Sequence, residues 1–171
     1  MKTKHVVVLP YDQKWNDEFN KIKDELFKEL DGKVISIEHV GSTSVKGLSA
    51  KPIIDIDIVI NDYDSFDEVL HGLNRLGYAY EGNLGIPGRE AFKYENKPQL
   101  MIHHIYVCTK DSTELRRHIL FRDYLRCHNK AVEEYSRIKE EAAALYPDNI
   151  EKYIEYKSPV IEKLYKEAGI V

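Results

Sequence analysis

The run Ile53-Ile54-Asp55-Ile56-Asp57-Ile58-Val59-Ile60 constrains this chain more than any other stretch, because it is aliphatic at six of its eight positions and interrupted only by two aspartates. β-Branched side chains favour a strand, and successive side chains on a strand point to opposite faces. Ile54, Ile56, Ile58 and Ile60 therefore share a face suited to a core, while Asp55 and Asp57 share the other, between Ile53 and Val59. Two residues along a strand separate the aspartate Cα atoms by about 6.5 Å, so both carboxylates can converge on one ion. Like charges on one strand face repel, and burying a charge costs several kcal/mol, roughly, per ion. A divalent cation removes that conflict: Mg²⁺ takes carboxylate oxygens and keeps further positions for water and phosphate. Two other readings fit the same residues, an edge strand with its acids in water and acids paired with Lys or Arg. The Asp-x-Asp pattern also occurs in metal-dependent glycosyltransferases, so alone it names no reaction.

A second polar element precedes this strand. Val34 to Val40 reads as a strand, and Gly41-Ser42-Thr43-Ser44 as a tight turn after it. Glycine lets a ligand approach the backbone, and turn amides can converge on an anion. A helix starting at Thr43 would add the favourable partial charge of its N-terminus. An ordinary turn has the same composition.

The remaining pattern alternates strands and helices before becoming helical. Asp12 is the expected cap of a helix to Leu30, whose apolar face is Trp15, Phe19, Ile22, Leu26, Phe27 and Leu30. Asp64 is the expected cap of a second helix, to Leu76. Tyr78 to Glu81, Glu90 to Tyr94 and Leu100 to Val107 read as short strands, the first two joined by the glycine-rich loop 82–88. Helices are expected over Ser112 to Arg126, Asn129 to Leu145 and Asp148 to Ala168, with Pro147 separating the last two. The expected fold class is α/β (α+β): one domain over residues 1–171, a mixed sheet with flanking helices to about residue 110 and a helical tail beyond.

Composition narrows the function classes. Of 171 residues, 43% are hydrophobic and 32% charged, a globular balance, and the net charge of −4 lacks the basic excess of a general nucleic-acid binder. No run approaches the length of a membrane span, and the first residues lack a signal-peptide layout. Two cysteines, Cys108 and Cys127, without metal-ligand spacing read as free thiols in a reducing cytoplasm.

The order strand, Gly-Ser turn, Asp-x-Asp strand is that of the nucleotidyltransferase fold. The stretch from Ile37 to Asp57, which includes His39-Val40-Gly41-Ser42-Thr43-Ser44 and Lys51-Pro52-Ile53-Ile54-Asp55-Ile56-Asp57, resembles the GrpB family of nucleotidyltransferase-like proteins. Further matches are Gly77-Tyr78, Gly85-Ile86-Pro87-Gly88-Arg89, His103-His104, Leu115-Arg116, the block Phe121 to Arg126, and Tyr156-Lys157. The resemblance runs from about Val8 to Ala168. It implies a turn at Gly41 and Ser42 that holds nucleotide phosphates, and aspartates that hold Mg²⁺ or Mn²⁺ in a two-metal displacement. It also implies relatives fused to dephospho-CoA kinase. This chain departs from the pattern twice: the strand over 100–107 has no third carboxylate, with Tyr106 where the family often has histidine, and Lys46 stands where proline is common.

The expected site therefore comprises Asp55, Asp57 and His104 as catalytic residues, the aspartates as metal ligands, and Gly41, Ser42, Thr43, Lys51, Arg89 and Lys157 around a phosphorylated ligand. His104 reaches the aspartates only if it faces them, and then His103 points away; a structural histidine is the alternative. His39 has the same two readings and lies where it can buttress the turn. Arg116, Arg117, Arg122 and Arg126 read as a solvated stripe or a subunit contact, and a homo-oligomer is compatible with the latter. Three functions follow: a Mg²⁺-dependent nucleotidyltransferase acting on a nucleoside triphosphate and a small-molecule acceptor, a non-catalytic nucleotide or coenzyme sensor, and a partner-binding structural domain.

Overall fold

The computed structural model describes residues 5–170. Its elements are α1 (Lys14–Leu30), β1 (Ser36–Val40), β2 (Ile54–Ile60), α2 (Phe66–Arg75), β3 (Ala79–Gly82), β4 (Arg89–Lys93), β5 (His103–Thr109), α3 (Thr113–Arg126), α4 (Asn129–Leu145) and α5 (Ile150–Glu167). The strands form one mixed sheet in the order β1-β2-β5-β4-β3. β2 is antiparallel to β1 and parallel to β5, and β4 joins β5 and β3 through antiparallel ladders. The parallel pair requires a crossover, which α2, β3 and β4 supply.

The aliphatic alternation on β2 places the core. Ile54, Ile56 and Ile58 are fully buried and Ile60 nearly so. They pack with Trp15, Ile22, Leu26 and Leu30 of α1, Val69 and Leu73 of α2, and Ile105 and Val107 of β5. Helices α1 and α2 thus cover one face of the sheet. Helix α3 covers part of the other, where Leu115 and Ile119 meet Val59, Tyr106 and Cys108. A further cluster joins Val45 and Leu48, beyond the Gly-Ser turn, to Leu125 of α3, Val132 and Tyr135 of α4, and Leu164 of α5. The helical segment therefore packs against the loop that leads out of the turn.

Strand β2 lies between two neighbours, so the edge-strand reading of its acids does not hold. Asp57 has no exposed surface. The chain after Gly41 does not enter a long helix either: Ser42–Ser44 is a single 3₁₀ turn. The expected contribution of a helix N-terminus to this turn therefore falls away, because three residues align too few peptide dipoles. α5 carries Pro159 in its interior. Proline is disfavoured there, but this one is exposed, while Tyr153 and Leu164 of the same helix are buried and anchor it on either side.

Candidate functional site

Strand register brings the expected residues together. Asp55 pairs with Val40 on one side and His104 on the other, and Asp57 with Glu38 and Tyr106. Residues paired across a sheet point to the same face, so Asp55, Asp57, His104 and Tyr106 share one. Arg89 and Ala91 of β4 extend it, since they pair with Cys108 and Tyr106. Gly41 then turns the chain over Asp55. Its φ of 74° and ψ of −175° belong to a region open essentially to glycine alone, and a Cβ there would collide with the Asp55 carboxylate.

Each aspartate is hydrogen-bonded to a histidine through one oxygen. His104 Nδ1 donates to Asp55 Oδ1 at 3.1 Å, and His118 Nδ1 of α3 donates to Asp57 Oδ2 at 2.7 Å. The second oxygen of Asp55 lies beside Gly41. The second oxygen of Asp57 is buried and has no hydrogen-bond partner among the described residues. Burial pushes the Asp57 carboxyl up, against the hydrogen bond and charge of His118. Burial would lower His118, but the hydrogen bond and charge of Asp57, together with the charge of Glu114, hold the imidazole above its ordinary range. The reading of the acids as paired with Lys or Arg is corrected: each is paired with a histidine.

Among the described residues no group of three or more His, Cys, Asp and Glu side chains is arranged to hold a metal ion. Two adjacent carboxylates are the donor type a hard cation takes, and the Asp57 oxygen without a partner among the described residues is an acceptor such a cation would satisfy. Asp55 lines the cleft together with Gly41, Arg89, Tyr106 and His118, whereas Asp57 lies beneath His118.

The phosphate candidates divide. Ser42, Lys51 and Lys157 line a second cavity with Asp55 and His104. The Arg89 guanidinium stacks 4.1 Å from the centre of the Tyr106 ring, beside Asp55. Thr43 is committed elsewhere: its hydroxyl donates to the Ile53 carbonyl at 3.3 Å and meets His39 Nε2 at 2.9 Å. His103 faces away, between the Tyr78 hydroxyl at 2.7 Å and the Met101 carbonyl at 2.7 Å, and is structural.

Three basic residues outside the expected site complete it. Arg126 donates twice to the Ser44 carbonyl, at 3.0 and 2.8 Å, and Arg122 to the His39 carbonyl at 3.1 Å. The reading of α3 as a solvated basic stripe is corrected at these positions, because the turn's carbonyls need donors and α3 packs across them. Lys139 of α4 donates to the Ser42 hydroxyl and is only 4% exposed. His39 stacks on Phe19 at 4.6 Å and supports the turn from below. Burial, then the charge of Arg126, lowers its pKa to about 4, with Asp55 opposing and Arg122 assisting. A depressed histidine adds stability that is present above the unfolded value near 6.5 and lost as pH falls toward 4. That loss amounts to roughly 3 kcal/mol at most. Urea unfolding at pH 7 and pH 4.5 should therefore show a smaller acid-induced fall in His39→Gln than in the parent.

The sheet, the glycine turn over one acid and the paired aspartates define a nucleotidyltransferase-like fold. The Cid1 poly(U) polymerase, in its MgGTP-bound structure, aligns with a TM-score of 0.53 at 13% identity over 76% of this chain and 42% of its own, a likeness of fold alone. The family is narrower: the GrpB protein model matches residues 5–167, and the chain belongs to the GrpB family. The crystal structure of conserved protein GrpB from Enterococcus faecalis superposes with a TM-score of 0.81 at 34% identity, over 95% of this chain and 96% of that one. UPF0157 protein YqkA of Bacillus subtilis is 33% identical over 95% of this chain, which spans only 47% of YqkA. UPF0157 protein BH1888 of Halalkalibacterium halodurans is 32% identical over 96% of this chain and 83% of its own length. A dephospho-CoA kinase of Mycobacterium bovis is 24% identical over 94% of this chain, matching 45% of the kinase. Among the described residues no helix is long and apolar enough to cross a membrane.

Proposed function

We propose that this chain binds a nucleoside triphosphate with Mg²⁺ or Mn²⁺ and transfers a nucleotidyl group to a hydroxyl or phosphate of a small molecule. The observation that carries the reading is the placement of Asp55 and Asp57 side by side on β2, under a turn whose glycine cannot carry a side chain without displacing Asp55. Asp55 and Asp57 would hold the cation, which when bound supplies Lewis-acid stabilisation of charge on phosphate oxygens. Asp57 would offer the oxygen that His118 leaves unpartnered. His104 fixes the orientation of Asp55 and stands where an acceptor proton can be taken. Ser42, Lys51 and Lys157 line the cavity that would receive phosphate, and Arg89 offers a planar fork from the opposite side. The MgGTP-bound Cid1 structure supports a nucleotide ligand on this fold, and the dephospho-CoA kinase relative supports phosphorylated small molecules.

A second reading, nucleotide binding without transfer, is favoured by one observation: β5 sets Tyr106 opposite Asp57 and offers no third carboxylate. The two are separated by incubation with Mg²⁺, each nucleoside triphosphate and a panel of hydroxyl and phosphate acceptors, with pyrophosphate release as readout. Transfer predicts release that disappears in Asp55→Ala and Asp57→Ala. Metal-dependent binding without release for any acceptor would establish the second reading instead.

A further inference from the structure

The cavity beside Ser42 concentrates cationic groups that have no acid partner among the described residues. Lys51, Lys139 and Lys157 all line it, together with Ser42, Asp55 and Tyr153. None of the three lysines takes part in an ion pair among the described residues. Aromatic faces support them instead. Lys51 and Lys157 sit 5.6 and 4.2 Å from the centre of the Tyr153 ring, and Lys139 lies 4.4 Å from that of Tyr135. A ring face steadies an ammonium without occupying its N–H donors, so the donors stay available to a ligand. Lys139 is 4% exposed, and its one hydrogen-bond partner is the Ser42 hydroxyl.

Such a cluster works against the fold. Burial and then the neighbouring charges of Lys157 and Lys51 push the Lys139 ammonium well below its ordinary range, with Asp55 opposing. Burial and then Lys51 lower Lys157 to about 8. An anionic ligand with more than one charge would relieve both costs at once. The cavity holds about 170 Å³, against about 30 Å³ for one water in the liquid, which suits a diphosphate group better than a single small ion.

We propose that Lys51, Lys139 and Lys157 form a diphosphate-binding pocket that works without a metal ion and receives the terminal phosphates of the ligand. This inference rests on the proposed nucleotide site for the identity of the ligand, but its affinity comes from the lysines and not from the aspartates. Ser42 then lies at the boundary, shared between the glycine turn and the lysines.

The test is calorimetric titration of the full chain with pyrophosphate and with orthophosphate, in EDTA. The parent should bind pyrophosphate at least tenfold more tightly than orthophosphate. Lys139→Met and Lys157→Met should each weaken pyrophosphate at least tenfold, while Asp57→Asn should keep it within threefold. Without ligand, Lys139→Met should melt at or above the parent temperature, because a buried charge with no acid partner has been removed. Absence of pyrophosphate binding in EDTA would overturn the pocket, as would lysine variants that bind like the parent or a Lys139→Met protein that melts well below it. Binding that appears only with Mg²⁺ and vanishes in Asp57→Asn would also overturn it, yet would leave the metal reading standing. Metal-free binding by a protein whose aspartate variants leave nucleotide affinity unchanged would keep the pocket and remove the metal role.

Discussion

Gly41→Ala should destabilise the protein by about 3 kcal/mol and abolish nucleotide binding in the fraction that remains folded. The magnitude has two sources. A backbone at φ 74° and ψ −175° costs any residue but glycine about 1–3 kcal/mol. The added methyl would also stand 3.0 Å from Asp55 Cβ and 3.1 Å from its Cγ, and closer still to one carboxylate oxygen. Relief requires Asp55 to move, which breaks its alignment with His104. Gly32 is a control matched in φ: its φ is 76°, but none of the described residues beyond its chain neighbours lies within 4 Å of the position its Cβ would take. Urea unfolding followed by fluorescence of the single tryptophan, the buried Trp15, reads both variants. Gly32→Ala should show only the conformational cost and bind nucleotide like the parent. Equal effects in the two variants would mean that the close approach to Asp55 carries no consequence.

Asp57→Asn should act in the opposite way, with a small effect on stability and a large one on binding. The substitution nearly preserves shape. It removes a buried charge whose burial cost already pushes the carboxyl up, and it gives up the charged bond with His118 in return. Breaking a buried pair is costly when a bare charge remains, but His118 can shed its proton and stay as a neutral imidazole. The stability change should fall within about 1 kcal/mol, near the size of ordinary substitutions. Affinity for ATP in the presence of Mg²⁺ should fall at least 100-fold, which corresponds to about 2.8 kcal/mol, while affinity in EDTA should hardly move. A large loss of stability with unchanged metal-dependent affinity would identify Asp57 as a structural acid.

Much of this arrangement was legible along the chain because a strand encodes its faces in alternation. The isoleucines of β2, the opposite placement of Asp55 and Asp57, and the split of His103 and His104 between two faces follow from a period of two, whereas the register of β5 against β2, which turns His104 toward Asp55, does not. Helix α4, expected over Asn129 to Leu145, has those bounds. Single-residue details drifted more: α2 begins after a 3₁₀ turn at Tyr63–Ser65, and Asp62 rather than Asp64 supplies the capping carboxylate there. Short polar turns near a helix start compete with the helix for the same donors.

The missed residues share a cause. His118 and Lys139 meet their partners across 61 and 97 residues of chain, and no local period encodes which helix face will cover a given strand. A signal existed nonetheless. His118, Arg122 and Arg126 recur every four residues, so they lie on one side of α3. Lys139 falls within the apolar stripe Ala131, Val132, Tyr135 and Ala142 of α4. A lysine in the buried stripe of an amphipathic helix is a local conflict, and such conflicts concentrate at functional sites.

One cation shared by Asp55 and Asp57, next to a phosphate seated at the Gly41–Ser42 turn, is the centre of the proposed chemistry. Crystals grown with Mn²⁺ and a non-hydrolysable ATP analogue, measured at the manganese absorption edge, test this directly. The expected result is an anomalous peak about 2.1 Å from an oxygen of each aspartate, as for Mg²⁺ ligation, with phosphate density against Ser42. Ordered nucleotide with no peak between the two acids would contradict a shared cation.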